Sequence, residues 1–390
     1  MDGHEAAVAD GGRGVDEKGR EVMTMDRPIR VLQIIGIACG GGVEAVIMNY
    51  YRHIDKSKVQ FDFVVHYDSY RSFVDEAKSM GGKVYEVTPY TKNIFAFTYG
   101  IYKIIKEGHY DIVHSNMNSL SAFPLFAAWL AGAKVRILHN HTTDTKAEGL
   151  RTVLKRVLRP FAKMFANRYW ACSKLAGEWM YGKQAVESGK VTIINNAIDL
   201  DKFAFNQEKR DELRQELGLE GKFVIGHVGR MVPQKNHMFL LEIFNEALKQ
   251  NKDARLLLIG DGYLREKIVA KAQELKIDDK VIMLGSRDDV ADLYNAMDVF
   301  VFPSLYEGLP VVGVEVQANG LPFLCSDKVT KEIVISDSIE LLGLEIGANG
   351  WAEKILIYRS NLCRKEQDLS NSGFDIEMEA KKLVEMYMKI

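Results

Sequence analysis

The sequence predicts an α/β protein made of two doubly wound domains, each a parallel sheet covered by helices. Short apolar runs alternate with helical stretches along nearly the whole chain, which is the pattern of βαβ units. The alternation comes as two successive series, separated by a charged stretch near residues 201–221. A chain of 390 residues also exceeds what one core usually holds, at about 100–200 residues per domain.

The first series opens with Ile29-Arg30-Val31-Leu32-Gln33-Ile34-Ile35, which runs into the glycine turn Gly40-Gly41-Gly42. A helical pattern follows from Val43 to about His53. Further strand-like runs fall at 61–66, 84–87, 111–114, 135–139, 169–172 and 191–194. The second series has strand-like runs at 223–228, 255–259, 281–284, 299–302 and 322–325, with helical segments near 237–250, 263–275, 288–296 and 310–319. A last amphipathic stretch, 376–388, suits a helix that packs across either domain. The expected boundaries are a leader or tag without regular structure at 1–28 and a first domain at 29–200. A second domain at 201–365 and a closing helical segment at 366–390 complete the division.

Bulk composition narrows the function classes. Lysine plus arginine (51) nearly balances aspartate plus glutamate (53), so there is no general attraction to nucleic acid. The four cysteines, Cys39, Cys172, Cys325 and Cys363, have neither zinc-site nor disulfide-framework spacing, which fits a reducing, cytoplasmic compartment. No apolar run is long enough to span a bilayer, and residues 1–28 lack a signal-peptide core.

Two groups of residues carry chemistry. Gly229-Arg230 falls at the C-terminal end of a buried strand, where open α/β sheets bind ligands, and Lys235 follows five residues later. The arginine can fork onto a diphosphate and the lysine adds a point charge, although a solvated loop pair has the same composition. The run Pro303-Ser304-Leu305-Tyr306-Glu307-Gly308-Leu309-Pro310 follows another strand, and Pro310 suits the first turn of a helix. Glu307, with Glu315 eight positions on, offers carboxylates suited to sugar hydroxyls. Taken alone, Glu315 reads equally as a structural carboxylate. Cations, carboxylates and a helix N-terminus together fit a nucleotide-activated sugar.

The pattern Gly229-Arg230-x4-Lys235 with Glu307-x7-Glu315 resembles the donor site of retaining family 4 glycosyltransferases of the GT-B fold, those of capsule and exopolysaccharide assembly included. The resemblance extends over residues 29–390 and takes in Gly260-Asp261-Gly262 and Gly285-x-Arg287. It implies that Arg230 and Lys235 hold the donor diphosphate, that Glu307 holds sugar hydroxyls, and that Glu315 holds the ribose diol. Gly285 and Arg287 then lie near the base. Gly229, Gly308, Leu309, Pro310 and Val311 line the donor site, and Gly41 and Gly42 approach the phosphates from the first domain. No metal or other cofactor is implied, because the cations and the helix N-terminus supply the positive charge.

In His139-Asn140-His141 the two histidines share one face of a strand end. The resemblance puts a histidine beside the reacting sugar. Ending the strand at His141 suits that residue better, with His139 left open. Glu44 is a further polar candidate for the cleft lining.

Residues 146–168 form a helical stripe of their own. Leu150, Val153, Leu154, Val157, Leu158, Phe161, Met164 and Phe165 fall on one side, with Arg151, Lys155, Arg156, Arg159 and Lys163 on the other and Pro160 as a kink point. The apolar face either enters the core, leaving solvated cations, or the helix docks on an anionic membrane surface through Arg151–Lys163.

The expected activity is thus retaining transfer of a sugar from a nucleotide diphosphate sugar, UDP-linked, to a glycan or polyprenyl-linked acceptor. The protein is expected to be cytoplasmic and peripheral on the membrane, with His141, Glu307, Arg230 and Lys235 as its catalytic groups. The alternatives are a GT-B epimerase acting on the donor alone and a catalytically silent sugar-nucleotide-binding protein.

Overall fold

The structure, a computed structural model, describes residues 13–15, 21–23, 27–38, 42–142, 150–359, 364 and 367–390. Within the expected leader, β1 (Arg13–Val15) and β2 (Glu21–Met23) form an antiparallel pair in the register Arg13↔Met23. The sequence reading assigned no regular structure here, because three-residue strands carry too little pattern to be read.

The first domain is a seven-stranded parallel sheet in the order β5-β4-β3-β6-β7-β8-β9. Its strands are β3 (Ile29–Gly36), β4 (Val59–His66), β5 (Val84–Val87), β6 (Ile112–Ser115), β7 (Val135–Asn140), β8 (Arg168–Ala171) and β9 (Val191–Ile193). The second is a six-stranded parallel sheet in the order β12-β11-β10-β13-β14-β15. It comprises β10 (Phe223–Val228), β11 (Ala254–Ile259), β12 (Val281–Gly285), β13 (Val299–Phe302), β14 (Phe323–Ser326) and β15 (Ile339–Leu342). The central strands read as continuous apolar runs because helices cover both faces: every residue of β10, β13 and β14 is buried. The edge strand β15, Ile-Glu-Leu-Leu, is mostly half-buried, and its weak pattern escaped the sequence reading.

In each sheet the strand order reverses at one point, between β3 and β6 and between β10 and β13. Loops leaving adjacent strands there diverge to opposite faces and open a crevice at the strand C-termini. This geometry decides where a ligand fits.

The two domains share buried surface. One apolar cluster runs from Val31 and Phe63 through Trp170 to Phe300 and Phe323. The Ile376–Met388 helix crosses back to the first domain and packs on the Gly42–His53 helix. Its entry is fixed by backbone bonds between Ile198 and the 374–376 segment, Ile198 N to Phe374 O at 2.9 Å and Ile376 N to Ile198 O at 3.0 Å. Its Tyr387 is fully buried and meets Phe61 and Trp170 at ring distances of 5.8 and 5.3 Å. Among the described residues, no helix is long and apolar enough to cross a membrane.

Candidate active site

The second-domain half of the site is built from the loops after β10 and β13, on either side of the reversal point. Arg230 follows β10 and is exposed. The backbone turns here against the loop after β11, and the approach is so close that a Cβ on Gly260 (φ +125°) would lie 2.3 Å from the Gly229 carbonyl oxygen. Only glycine fits both that conformation and that space.

Lys235 ends a short 3₁₀ turn, Pro233–Lys235, and Asn236 after it takes a left-handed conformation at φ 57°. That turn directs the Lys235 ammonium 2.7 Å from Glu307 Oε1 and 4.5 Å from the Phe302 ring centre. Three further bonds zip the two loops: Leu305 N to Gln234 O (2.9 Å), Gln234 Nε2 to Tyr306 O (3.0 Å) and Asn236 Nδ2 to Pro303 O (3.1 Å). Sequence reading missed Gln234 and Asn236, whose amides carry no signal of a partner some seventy positions on.

Pro310 is the N-cap of the Val311–Ala318 helix, not a residue of its first turn as expected. With φ −72° and ψ 124° it is still extended, and the helix begins at Val311. Glu315 lies on this helix and accepts a 2.7 Å hydrogen bond from the Tyr294 hydroxyl. Burial pushes its carboxyl up to about 7. Arg287 follows β12 at the far edge of the sheet and is forked onto Asp289, with Nε 2.7 Å from Oδ1. Gly285 closes β12 with φ 69°.

The first-domain half sits at the C-terminal ends of β3, β6 and β7. Gly41 lies outside the described residues. Gly42 starts the Gly42–His53 helix, and a Cβ there would lie 3.7 Å from Val311. The first residues of two helices therefore meet across the cleft, and a helix N-terminus carries partial positive charge. Glu44 is buried in the first turn of that helix.

His141 leaves the end of β7 half-buried, whereas His139, two positions earlier, is enclosed. A Cβ on Gly308 would lie 2.8 Å from the His141 carbonyl oxygen, so the loop bearing Glu307 touches the His141 backbone. Asn196 Nδ2 also bonds Leu309 O across the junction at 2.6 Å. The structure thus brings His141, Lys235, Glu307, Gly308, Leu309 and Val311 to one place and leaves His139 behind them. The His141 backbone is held by Asn118 Oδ1 at 2.7 Å, Asn118 itself being left-handed at φ 52°. Burial lowers the His141 imidazole to about 3. At neutral pH it is an uncharged hydrogen-bonding group and a poor proton carrier.

Residues 146–149 of the expected stripe, and the side chains of Leu150 and Arg151, lie outside the described residues; the rest behaves differently from a core helix. Within the Leu150–Phe165 helix, Leu158, Ala162 and Phe165 pack inward. Val153, Leu154, Val157, Phe161 and Met164 instead face solvent, between 49% and 62% exposed. Trp129, half-exposed on the neighbouring helix, extends this surface through a 5.8 Å ring contact with Phe165. Arg159 is turned onto the Trp179 carbonyl at 2.7 Å.

Comparison with known proteins agrees with this fold. Residues 40–202 match the family described as Glycosyltransferase Family 4, and residues 222–359 match Glycosyl transferases group 1. EpsF of Bacillus subtilis (strain 168), which carries a provisional glycosyltransferase name, is 34% identical over 92% of this chain and 96% of its own length. The Escherichia coli UDP-Gal:alpha-D-GlcNAc-diphosphoundecaprenol alpha-1,3-galactosyltransferase is 30% identical over 74% of this chain and 78% of its own. Among solved structures, Anabaena Alr3699/HepE in complex with UDP and glucose superposes with a TM-score of 0.77 at 19% identity, covering 93% of this chain and all of that one.

Two predictions follow from the site. Arg230→Ala and Lys235→Ala each lower kcat/KM by about a hundredfold or more. Their melting temperatures separate them: the exposed Arg230 variant stays within about 2 °C of the parent. The Lys235 variant falls further, because Glu307 loses its ion-pair partner in a nearly buried setting. Equal melting points would remove the ion pair from the stability of these loops.

The second prediction concerns pH. Glu315 loses its proton as pH rises through about 7 and becomes a full acceptor. Affinity for a nucleotide diphosphate sugar, whose diphosphate does not titrate near neutrality, therefore rises between about pH 6 and pH 8 and is flat in Glu315→Gln. Calorimetric titration across that range checks it, and parallel profiles for the two proteins would detach Glu315 from the nucleotide.

Proposed function

The chain belongs to the family 4, group 1 glycosyltransferases, and from that premise we propose that it transfers a sugar with retention from a uridine diphosphate sugar to a lipid-linked glycan in polysaccharide assembly. The observation that carries this reading is the meeting of Lys235, Glu307 and two helix N-termini beside His141. Positive charge collects where a diphosphate would leave, and the carboxylate is where sugar hydroxyls would need an acceptor.

Arg230, Lys235 and the Val311–Ala318 helix start stabilise charge developing on the departing diphosphate, with no metal ion needed. Preorganised groups of this kind are worth about 3–4 kcal/mol each. Before donor binds, Lys235 is held by Glu307; in the complex it bridges that carboxylate and the phosphate, and so keeps both sides of the scissile bond in register. His141, uncharged, accepts or donates a hydrogen bond to the sugar and takes no proton. The leaving phosphate assists deprotonation of the acceptor hydroxyl, which attacks from the same face. The relatives' names support both partners: the Escherichia coli enzyme is named for UDP-Gal and a diphosphoundecaprenol-linked sugar.

The exposed apolar side chains from Val153 to Met164, beside Trp129 and a basic run, support work at an anionic membrane surface on its cytoplasmic face. A polyprenyl-linked acceptor presents its sugar at such a surface.

Purified protein incubated with a panel of UDP-sugars and a lipid diphosphate-linked glycan should release UDP in step with an α-linked product, unchanged by EDTA. A β-linked product overturns retention, and epimerised donor without transfer overturns the assignment. For the surface, replacing both Val157 and Phe161 by Ser should lower partitioning onto anionic vesicles in flotation by about thirtyfold, at two side chains of roughly 1 kcal/mol each. Undiminished flotation would return the helix to a solvated role.

A further inference from the structure

Behind His141 lies a chain of buried hydrogen bonds that the transfer mechanism does not use and whose direction follows from the placement of the Asn116 and Gln33 amides. His141 Nε2 is 3.0 Å from Asn116 Oδ1, and Asn116 Nδ2 donates to Gln33 Oε1 at 2.9 Å. Gln33 Nε2 donates to the Tyr387 hydroxyl at 3.1 Å. The Tyr387 hydroxyl lies 2.6 Å from His114 Nδ1, and His114 Nε2 lies 3.1 Å from His139 Nδ1. The ring of His139 then returns to His141, with centroids 4.0 Å apart.

An amide oxygen can only accept, so His141 Nε2 carries the proton. The Tyr387 hydroxyl accepts from Gln33 Nε2, and among the described residues the ring nitrogen within reach of its own O–H is His114 Nδ1, which we take as the acceptor. His114 must then be protonated at Nε2, and His139 likewise. Burial depresses all three imidazoles, so none escapes the constraint by taking a second proton. His141 is left with its lone pair at Nδ1.

We propose that Tyr387, on the helix that crosses back from the second domain, is a positioning residue that fixes the tautomer and ring orientation of His141, so that Nδ1 is the atom offered to the sugar. Tyr387 touches no substrate. It acts on the tautomer through Gln33 and Asn116, and on the ring position through His114 and the His139 ring packed against His141. The inference rests on the transferase reading for its effect on rate, but not for its effect on the ring.

Tyr387→Phe in the full chain removes one oxygen and keeps the aromatic packing. Two-bond proton–nitrogen spectra of histidine-labelled resting protein should show a single Nε2-protonated form of His141 in the parent and a second tautomer in the variant. With donor and acceptor, kcat should fall about five- to tenfold, the equivalent of one lost hydrogen bond, while donor KM and UDP affinity stay within about twofold. Should Tyr387→Phe not fold, Gln33→Met cuts the same chain one link away at nearly constant volume. An unchanged His141 tautomer overturns the proposal whatever the rate does, and so does a changed tautomer with unchanged kcat. If the parent transfers no sugar from UDP-sugars, the transferase reading fails by itself, and the spectra still decide the positioning role.

Discussion

The ion pair between Lys235 and Glu307 is the contact around which the second domain's side of the cleft is arranged. It joins the loops leaving β10 and β13, the two strands between which the sheet reverses its order. A parallel sheet sends every such loop to the same edge, so the reversal is the one place where two of them separate and leave room between. Without a bond across that gap, each loop would have to hold its own charge against solvent. With it, a cation and a carboxylate stand 2.7 Å apart on opposite walls of the crevice, lysine over the face of Phe302. The zipper of Gln234 and Asn236 and the glycine-only contact at Gly260 serve to keep those walls in place.

The first domain answers with groups of another kind. Its side of the cleft presents a helix N-terminus at Gly42, an uncharged imidazole at His141 and main-chain carbonyl close to Gly308. Arg230, Lys235 and Glu307 thus stand on the second domain's side of the cleft, and the first domain adds dipoles and shape beside the buried Glu44. Such a division suits a reaction in which the charged fragment leaves and the neutral one is handed over.

Much of this was legible in the sequence, for identifiable reasons. β10, β13 and β14 were readable because strands buried on both faces must be continuously apolar. Arg230, Lys235, Glu307 and Glu315 could be picked out because they follow such strands or lie on the helix after one. The edge strand β15 was not readable, since half-burial erases the pattern that marks a strand. The apolar stripe at 150–165 was readable as a helix, but its exposure was not: periodicity says which residues share a face and not what that face meets. The partners of the site residues were the least accessible. Nothing near Glu315 announces Tyr294, and nothing near His141 announces Asn116 or Tyr387, because side-chain bonds across a fold leave no local trace in either partner.

The return of the Ile376–Met388 helix to the first domain also bears on how the chain is made. Gln33 and Tyr387 are bonded at a separation of 354 residues. The first sheet therefore emerges from the ribosome long before the group that completes its buried polar interior, and the entire second domain is synthesised in between. Contacts of such sequence separation are late and slow to form. The first domain must wait as an unfinished core, with Gln33, His114 and Trp170 uncovered, until the Ile376–Met388 helix arrives to close it. A message truncated ahead of that helix would yield a second domain with all of its charged groups attached to a first domain that was never sealed.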